Sequence, residues 1–363
     1  MVFRGGSDGR TGVKARTSLP LRLGIYIPTS GVAGLWGPSC RAAAELALAE
    51  LNKNGGIGGQ EVRISLVDAG LSPDDVAQRA AGQLAGDEID AIVGMHTSDV
   101  RQALVRAVGG RVPYIYTPLY EGGTPEPGVF CIGETPEQQL LPGLDWLTDR
   151  YDLKRWYLIG NDYVWPRRTH ALVGRHLRGR RVRVVGDTYL PFGTADMSGI
   201  VETLAAVKPD GVLVSLVGDD AVRFNRAFAR AGLDTRAIRF SCAIEENMLM
   251  AIGQSATHGL FAAAGYFSQL NESANGSFLE RYYGRHGDRA PAMNAIGQSV
   301  YEGVHFLNQL LTTGEDWRRP GRAIRPGGMR QTEWTASRRT VQPTFLAEAE
   351  GYDFRIVQRF APS

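Results

Sequence analysis

The run Asn52-Lys53-Asn54-Gly55-Gly56-Ile57-Gly58-Gly59-Gln60-Glu61-Val62 constrains this chain more than any other stretch. An alanine- and leucine-rich segment with helical spacing, 36–54, runs into four glycines within five residues. An apolar strand then leaves at once and ends near Asp68. Gly55 stands where a helix ends in the left-handed conformation that glycine tolerates. Helix, tight turn and strand in this order are half of a βαβ unit, and the alternation repeats along the chain.

Strands are expected over 21–28, 62–67, 91–94 and 113–116, with helices over 36–54, 74–85 and 98–108 between them. A Pro/Gly-rich stretch over 121–128 is the best boundary. Beyond it, strands near 155–159, 182–189, 211–215, 238–240 and 259–266 alternate with helices near 137–150, 166–177, 196–207 and 219–231. Two helices follow at about 273–283 and 292–311, then a polar Arg/Gly/Pro stretch and two terminal strands, 340–347 and 353–360. Such alternation means parallel sheets covered on both faces. At 363 residues the chain also exceeds a single core. The expected fold class is α/β, with two doubly wound parallel-sheet lobes joined by a hinge. One lobe takes 21–125 plus about 267–312; the other takes 126–266 plus about 340–363. Residues 1–20 are expected as a disordered tail and 313–339 as a loop or flexible insertion.

Composition removes several function classes. The net charge of +2 creates no field that favours nucleic acid or an anionic membrane. Cys40, Cys131 and Cys242 are far apart and form no disulfide framework, so buried thiols are expected. The six histidines show no metal-ligand spacing, and no cofactor is expected. Gly5-Gly6-Ser7-Asp8-Gly9 matches G-x-S-x-G without a preceding strand, so it is no nucleophile elbow. No paired acid, base or nucleophile stands out, and the chain is not expected to be an enzyme. No run of eighteen apolar residues spans a membrane. Residues 1–20 have no apolar h-region, which places the sequence as written in the cytoplasm.

The stretch 38–68 reads G-P-x-x-x-A-A-A-E-L-A-L-A-E-L-N-x-x-G-G-I-G-G-x-x-V from Gly37 onward, with Asp68 closing the strand. It resembles the first βαβ unit of the type 1 periplasmic binding-protein family, which includes receptors for leucine-type amino acids, urea and amides. The likeness continues in Gly94-x-x-Thr97-Ser98 and Tyr116-Thr117-Pro118-Leu119-Tyr120-Glu121-Gly122. It returns in Gly160-Asn161-Asp162-Tyr163-Val164-Trp165-Pro166 and Ser299-x-Tyr301-Glu302-Gly303-Val304, and covers roughly 21–312. The Tyr116–Gly122 and Gly160–Pro166 segments are most similar to the amide and urea branch, with its aliphatic amidase expression regulator and nitrile-hydratase regulators.

In open α/β sheets ligands lie beyond the carboxyl ends of the strands, so two lobes hold theirs in the cleft between them. Thr97 and Ser98 follow the third strand. Ser98 either caps the next helix or, with nearby N–H groups, holds a ligand carbonyl or carboxylate oxygen. Tyr116, Thr117 and Tyr120 follow the fourth strand. Pro118 holds Thr117 extended, so its hydroxyl and carbonyl are expected to face the cleft. The tyrosines either wall the ligand or belong to the core. In the second lobe Tyr163 and Trp165 are expected to close as an aromatic lid. Asp162 either accepts an ammonium or amide N–H or caps a helix. Asp219 and Glu245 either face the cleft or are acidic helix starts favoured by the dipole. His96 is expected as a solvated loop histidine, and 178–183 as a solvated basic turn.

Together the resemblance and the polar tail imply a cytoplasmic regulator that senses a small amide, urea or amino-acid-type molecule. It would control an amidase or nitrile-hydratase operon through an antiterminator or other regulatory protein, with no direct contact to nucleic acid. The alternative is a substrate-binding protein of an ABC transporter for branched-chain amino acids, amides or urea, exported by a leader upstream and partnered by a permease. A homodimer is open in both. At about 1.5 kcal/mol per heavy atom, a four-atom amide reaches about −6 kcal/mol, or tens of micromolar, which suits a sensor.

Overall fold

The computed structural model describes residues 19–335 and 340–362. The expected tail therefore lies almost wholly outside the described residues. The glycine run is built as a turn that only glycine can make. Gly55, Gly56, Gly58 and Gly59 all have positive φ, and a Cβ on Gly56 would come within 1.8 Å of the Gln60 carbonyl oxygen. Asn52 clasps the departing strand: its side chain donates to the Val62 carbonyl at 2.9 Å and accepts from the Val62 N–H at 2.8 Å. This fixes the register of helix α1 (Gly37–Lys53) and strand β2 (Val62–Asp68) against β1 (Leu21–Ile27).

The first sheet continues through α2 (Pro73–Ala85), β3 (Ala91–Gly94), α3 (Ser98–Val108), β4 (Tyr114–Tyr116) and β5 (Val129–Cys131). Its order is β2-β1-β3-β4-β5, all parallel. β5 lies beyond the expected boundary at 125/126 yet pairs with β4, so the Pro/Gly stretch is a loop inside the first lobe.

The chain then crosses to the second sheet. α4 (Pro136–Arg150), β6 (Arg155–Asn161), α5 (Val164–Gly179), β7 (Arg183–Leu190), α6 (Ser198–Val207) and β8 (Gly211–Ser215) follow. α7 (Gly218–Arg230), β9 (Ile238–Ser241), α8 (Glu246–Ile252) and β10 (Leu260–Ala264) complete the parallel part. A second crossing leads to α9 (Ser273–His286) and α10 (Ala295–Thr312), both of which pack on α1. A third returns by way of β11 (Glu333–Trp334) and β12 (Thr340–Val341) to β13 (Thr344–Glu350) and β14 (Asp353–Phe360). These last two run antiparallel on the β10 edge, giving the order β14-β13-β10-β9-β8-β6-β7.

The stretch expected as a loop at 313–339 is packed over its described part; residues 336–339 lie outside the described residues. Ile324, Met329, Arg330, Thr332 and Trp334 are buried. Trp334 stacks edge-on to Phe130 at 5.4 Å and Phe306 at 6.1 Å. Polar composition hid a few widely spaced anchors that bury against the first lobe. Trp334→Leu is expected to cost about 2 kcal/mol, read as a lowered denaturant midpoint. A midpoint equal to the parent's would mean the segment is not anchored.

Candidate functional site

Helices α3, α5, α7 and α8 each start where a strand ends, at the edge where the two sheets face each other. Their N-cap residues are Thr97, Tyr163, Val217 and Glu245, and none of these makes a side-chain cap. Helices α2 and α10 begin on the side chains of Ser72 and Asn294, while α1, α6 and α9 also start without a side-chain cap. The starts of α3, α5, α7 and α8 carry partial positive charge toward the cleft.

The two walls meet through one loop. A 3-10 turn, Val32–Trp36, leaves β1 and lies across the second lobe. The Trp36 indole N–H donates to Glu245 Oε2 at 2.7 Å, and Asn247 Nδ2 donates to the Leu35 carbonyl at 2.9 Å. The Val32 carbonyl oxygen rests on Gly218, where a Cβ would sit only 1.8 Å from it. Gly218 also has φ +52°. α3 and α5 touch further along the same cleft.

On the first-lobe wall, Thr97 is the N-cap and Ser98 the first helical residue. Ser98 is buried, and its hydroxyl donates to Glu121 Oε2 at 2.7 Å. The other oxygen of Glu121 accepts from Arg101 Nη2 at 2.6 Å. The Arg101 guanidinium lies over the rings of Tyr116 and Tyr120, at 5.0 and 5.4 Å from their centroids. Tyr116 is buried and its hydroxyl donates to the His96 carbonyl at 2.8 Å. Tyr120 borders a hollow of about 440 Å³ that Arg168 reaches from the second lobe.

Two expectations on this wall are corrected. Thr117 is fully buried, its Oγ1 accepts from Ser299 Oγ at 3.0 Å, and its carbonyl accepts from Arg330 Nη1 at 3.4 Å. Its polar groups are thus turned to α10 and the 313–335 segment instead of to the cleft. His96 is buried, with Nδ1 donating to the Thr97 carbonyl at 3.1 Å and Nε2 accepting from the Tyr114 hydroxyl at 2.9 Å. Burial pushes its pKa down to about 3, so it stays neutral.

On the second-lobe wall, the Tyr163 ring packs on Phe192 at 5.0 Å and on Trp165 at 6.3 Å. Burial, then the nearby Tyr116, Asp99 and Glu121 of the other lobe, raise its pKa well above the usual phenol value. Trp165 is buried and its indole N–H has no acceptor among the described protein groups. Asp162 and Asp219 do not join them. Asp162 is exposed and accepts from Arg167 Nε at 2.7 Å; Asp219 is nearly half exposed and lies 3.7 Å from Arg223. The buried acid of that pair is Asp220, which binds Asn161, Gly193 N–H and Arg223.

Glu245 is different. It is only 3% exposed, accepts from the Trp36 N–H at 2.7 Å, and no cation pairs with it among the described residues. Burial pushes its carboxyl up to about 8, and the adjacent Glu246 up to about 7. The geometry puts Ser98, Tyr163, Trp165 and Glu245 at the starts of α3, α5 and α8. It adds Trp36, Arg101 and Glu121, which sequence reasoning did not single out. Glu121 stood inside a quoted motif; Trp36 read only as a helix start. Groups of three or more metal-ligating side chains are absent among the described residues, and no described helix is long and apolar enough to cross a membrane.

The fold has known counterparts. LivJ, the branched-chain amino acid transporter substrate binding protein of Streptococcus pneumoniae, in complex with isoleucine, superposes with a TM-score of 0.78. The two share 16% identity over 95% of this chain and 99% of that one. A solute binding protein of an ABC transporter from R. palustris, in complex with benzoate, gives a TM-score of 0.79 at 17% identity, over 94% and 97% of the two chains. At such identities the likeness is one of fold. A Leu/Ile/Val-binding protein homolog 3 from Brucella melitensis is 32% identical over 80 residues, which spans 22% of this chain and 22% of that protein. The family described as "Periplasmic binding protein" matches residues 20–324. By that match and by its two-lobed fold, the chain belongs to the periplasmic binding protein family.

Proposed function

We propose that this chain is a solute-binding protein that captures a small amino-acid-type molecule between its lobes and delivers it to an ABC transporter outside the cytoplasm. The observation that carries this reading is Glu245. It is a buried carboxyl group with no cation beside it among the described residues, and the starts of α3 and α5 favour an anion. A ligand with an ammonium at one end and a carboxylate at the other suits both features. The first N–H groups of α3 would receive the carboxylate, with Arg101 neutralising the Glu121 that Ser98 holds nearby, Glu245 the ammonium, and Tyr163 and Trp165 the apolar body. A neutral amide would use the helix start but leave Glu245 as it is.

The relatives with a stated role bind amino acids or benzoates for transport, which favours the receptor reading over the cytoplasmic regulator of an amidase operon. Thermal-shift and calorimetric titration with isoleucine, 4-hydroxybenzoate, acetamide and urea test it. An amino acid is expected to raise the melting temperature and bind at least tenfold more tightly than acetamide or urea. Tighter binding of acetamide or urea would restore the amide-sensor reading, and no binding by any of the four would overturn both.

A further inference from the structure

The 313–335 segment carries one arginine that is almost completely inaccessible. Arg330 is 1% exposed and sits where the three crossings between the lobes come together. Its Nη2 donates to the Ile132 carbonyl at 2.8 Å and to Gln342 Oε1 at 3.1 Å, which belong to the first and third crossings. Its Nη1 donates to the carbonyl of the buried Thr117, after β4, at 3.4 Å. Its backbone N–H donates to Glu302 Oε1 of α10 at 2.8 Å. The second crossing is reached through Glu134: a Cβ on Gly265 would come within 2.2 Å of Glu134 Oε1.

The remaining nitrogen, Nε, lies between two acids. Glu134 Oε1 is 3.5 Å away and Glu302 Oε2 is 3.6 Å away, and neither satisfies hydrogen-bond geometry. Glu302 stays with the first lobe, held by Thr332 Oγ1 at 2.6 Å. Glu134 lies inside the first crossing, so rotation of the lobes changes its distance to Arg330. Nε carries a single N–H that lies almost equally far from both acids, so a small lobe rotation brings it within hydrogen-bond distance of one and away from the other. That makes a two-position element of the kind a hinge requires.

We propose that Arg330 is the positioning residue of the hinge, linking the buried Thr117 after β4 to all three crossings and exchanging its Nε between Glu302 and Glu134 as the lobes rotate. The coupling of this exchange to solute capture rests on the receptor reading above. The exchange itself does not need a solute.

The test is single-molecule energy transfer between dyes on K53C, at the exposed end of α1, and E202C, exposed on α6. The native cysteines are buried and remain unlabelled. The unliganded parent is expected to show two lobe separations. E134Q, which weakens one of the two seats, should change their ratio by about tenfold. R330K, which keeps the charge but loses the fork, should merge them into one broad distribution. If E134Q and R330K both reproduce the parent distribution and merely lower the melting temperature, Arg330 is structural and the proposal fails. If isoleucine leaves every distribution unchanged while the variants still differ, the receptor reading fails and the hinge assignment stands.

Discussion

Gly218→Val is expected to leave both lobes folded but to hold them apart. The Val32 carbonyl of the first lobe occupies the place of a Gly218 Cβ at 1.8 Å, and neither partner is a flexible side chain that could step aside. Relief requires the Val32–Trp36 turn to withdraw. That turn also carries the Trp36–Glu245 and Leu35–Asn247 hydrogen bonds, so the contacts between walls are lost together. Ligand affinity should fall by about 100-fold or more, the equivalent of about 2.7 kcal/mol. The positive φ adds strain of about 1–2 kcal/mol for any non-glycine residue. Gly232→Ala is the control for that strain, because Gly232 has φ +65° with no atom within 4 Å of its Cβ position. Small-angle scattering should show Gly218→Val expanded and Gly232→Ala like the parent. Parent-like compaction and affinity in Gly218→Val would show that the lobes close by some other contact.

Glu245→Gln is expected to remove most of the affinity for a ligand with an ammonium group and little of that for a neutral amide. Losing one member of a buried charge pair costs about 2–5 kcal/mol, or roughly 30- to 5,000-fold. The same substitution should also change the pH response without ligand. The carboxyl of Glu245 is raised to about 8 where the walls meet, and opening returns it to water and its ordinary value of 4.5. A raised pKa means the closed form holds the proton more tightly. Its contribution to closure is therefore fully present below 4.5 and is lost as pH rises through 8. Glu246, raised to about 7, acts in the same direction. Between about pH 5 and pH 8 the unliganded parent should open progressively, and Glu245→Gln should reduce that slope. A parent whose lobe separation is flat across this range would place Glu245 in water already.

Much of this fold could be read from periodicity. The glycine turn, the alternation and the two antiparallel strands at the end each follow from local preferences that agree with one another. Three elements could not be read so. β5 has three residues after a loop, too few for any period; α8 has seven. The 313–335 segment is polar overall, and its structure depends on Ile324, Arg330 and Trp334 meeting residues far away in sequence. The site was legible at the level of strand ends. The motifs put Ser98, Tyr163 and Trp165, and the strand near 238–240 put Glu245, at helix starts that follow strand ends. Side-chain direction was not legible. Pro118 holds Thr117 extended, but Ser299 and Arg330, 182 and 213 residues away, decide which way its oxygens point. Asp162 and Asp219 follow the correct strands and are nevertheless drawn into solvent by Arg167 and Arg223.

The central claim is that the cleft closes on an ammonium-bearing solute seated at Glu245. Calorimetric titration of isoleucine at about pH 5, where the unliganded lobes are still closed, repeated in buffers with different heats of ionisation, tests it most directly. Because burial holds the Glu245 proton up to about 8 in the closed form, an incoming ammonium must displace it. Binding with release of close to one proton is the predicted result; binding with no proton exchange, or no binding, would contradict it.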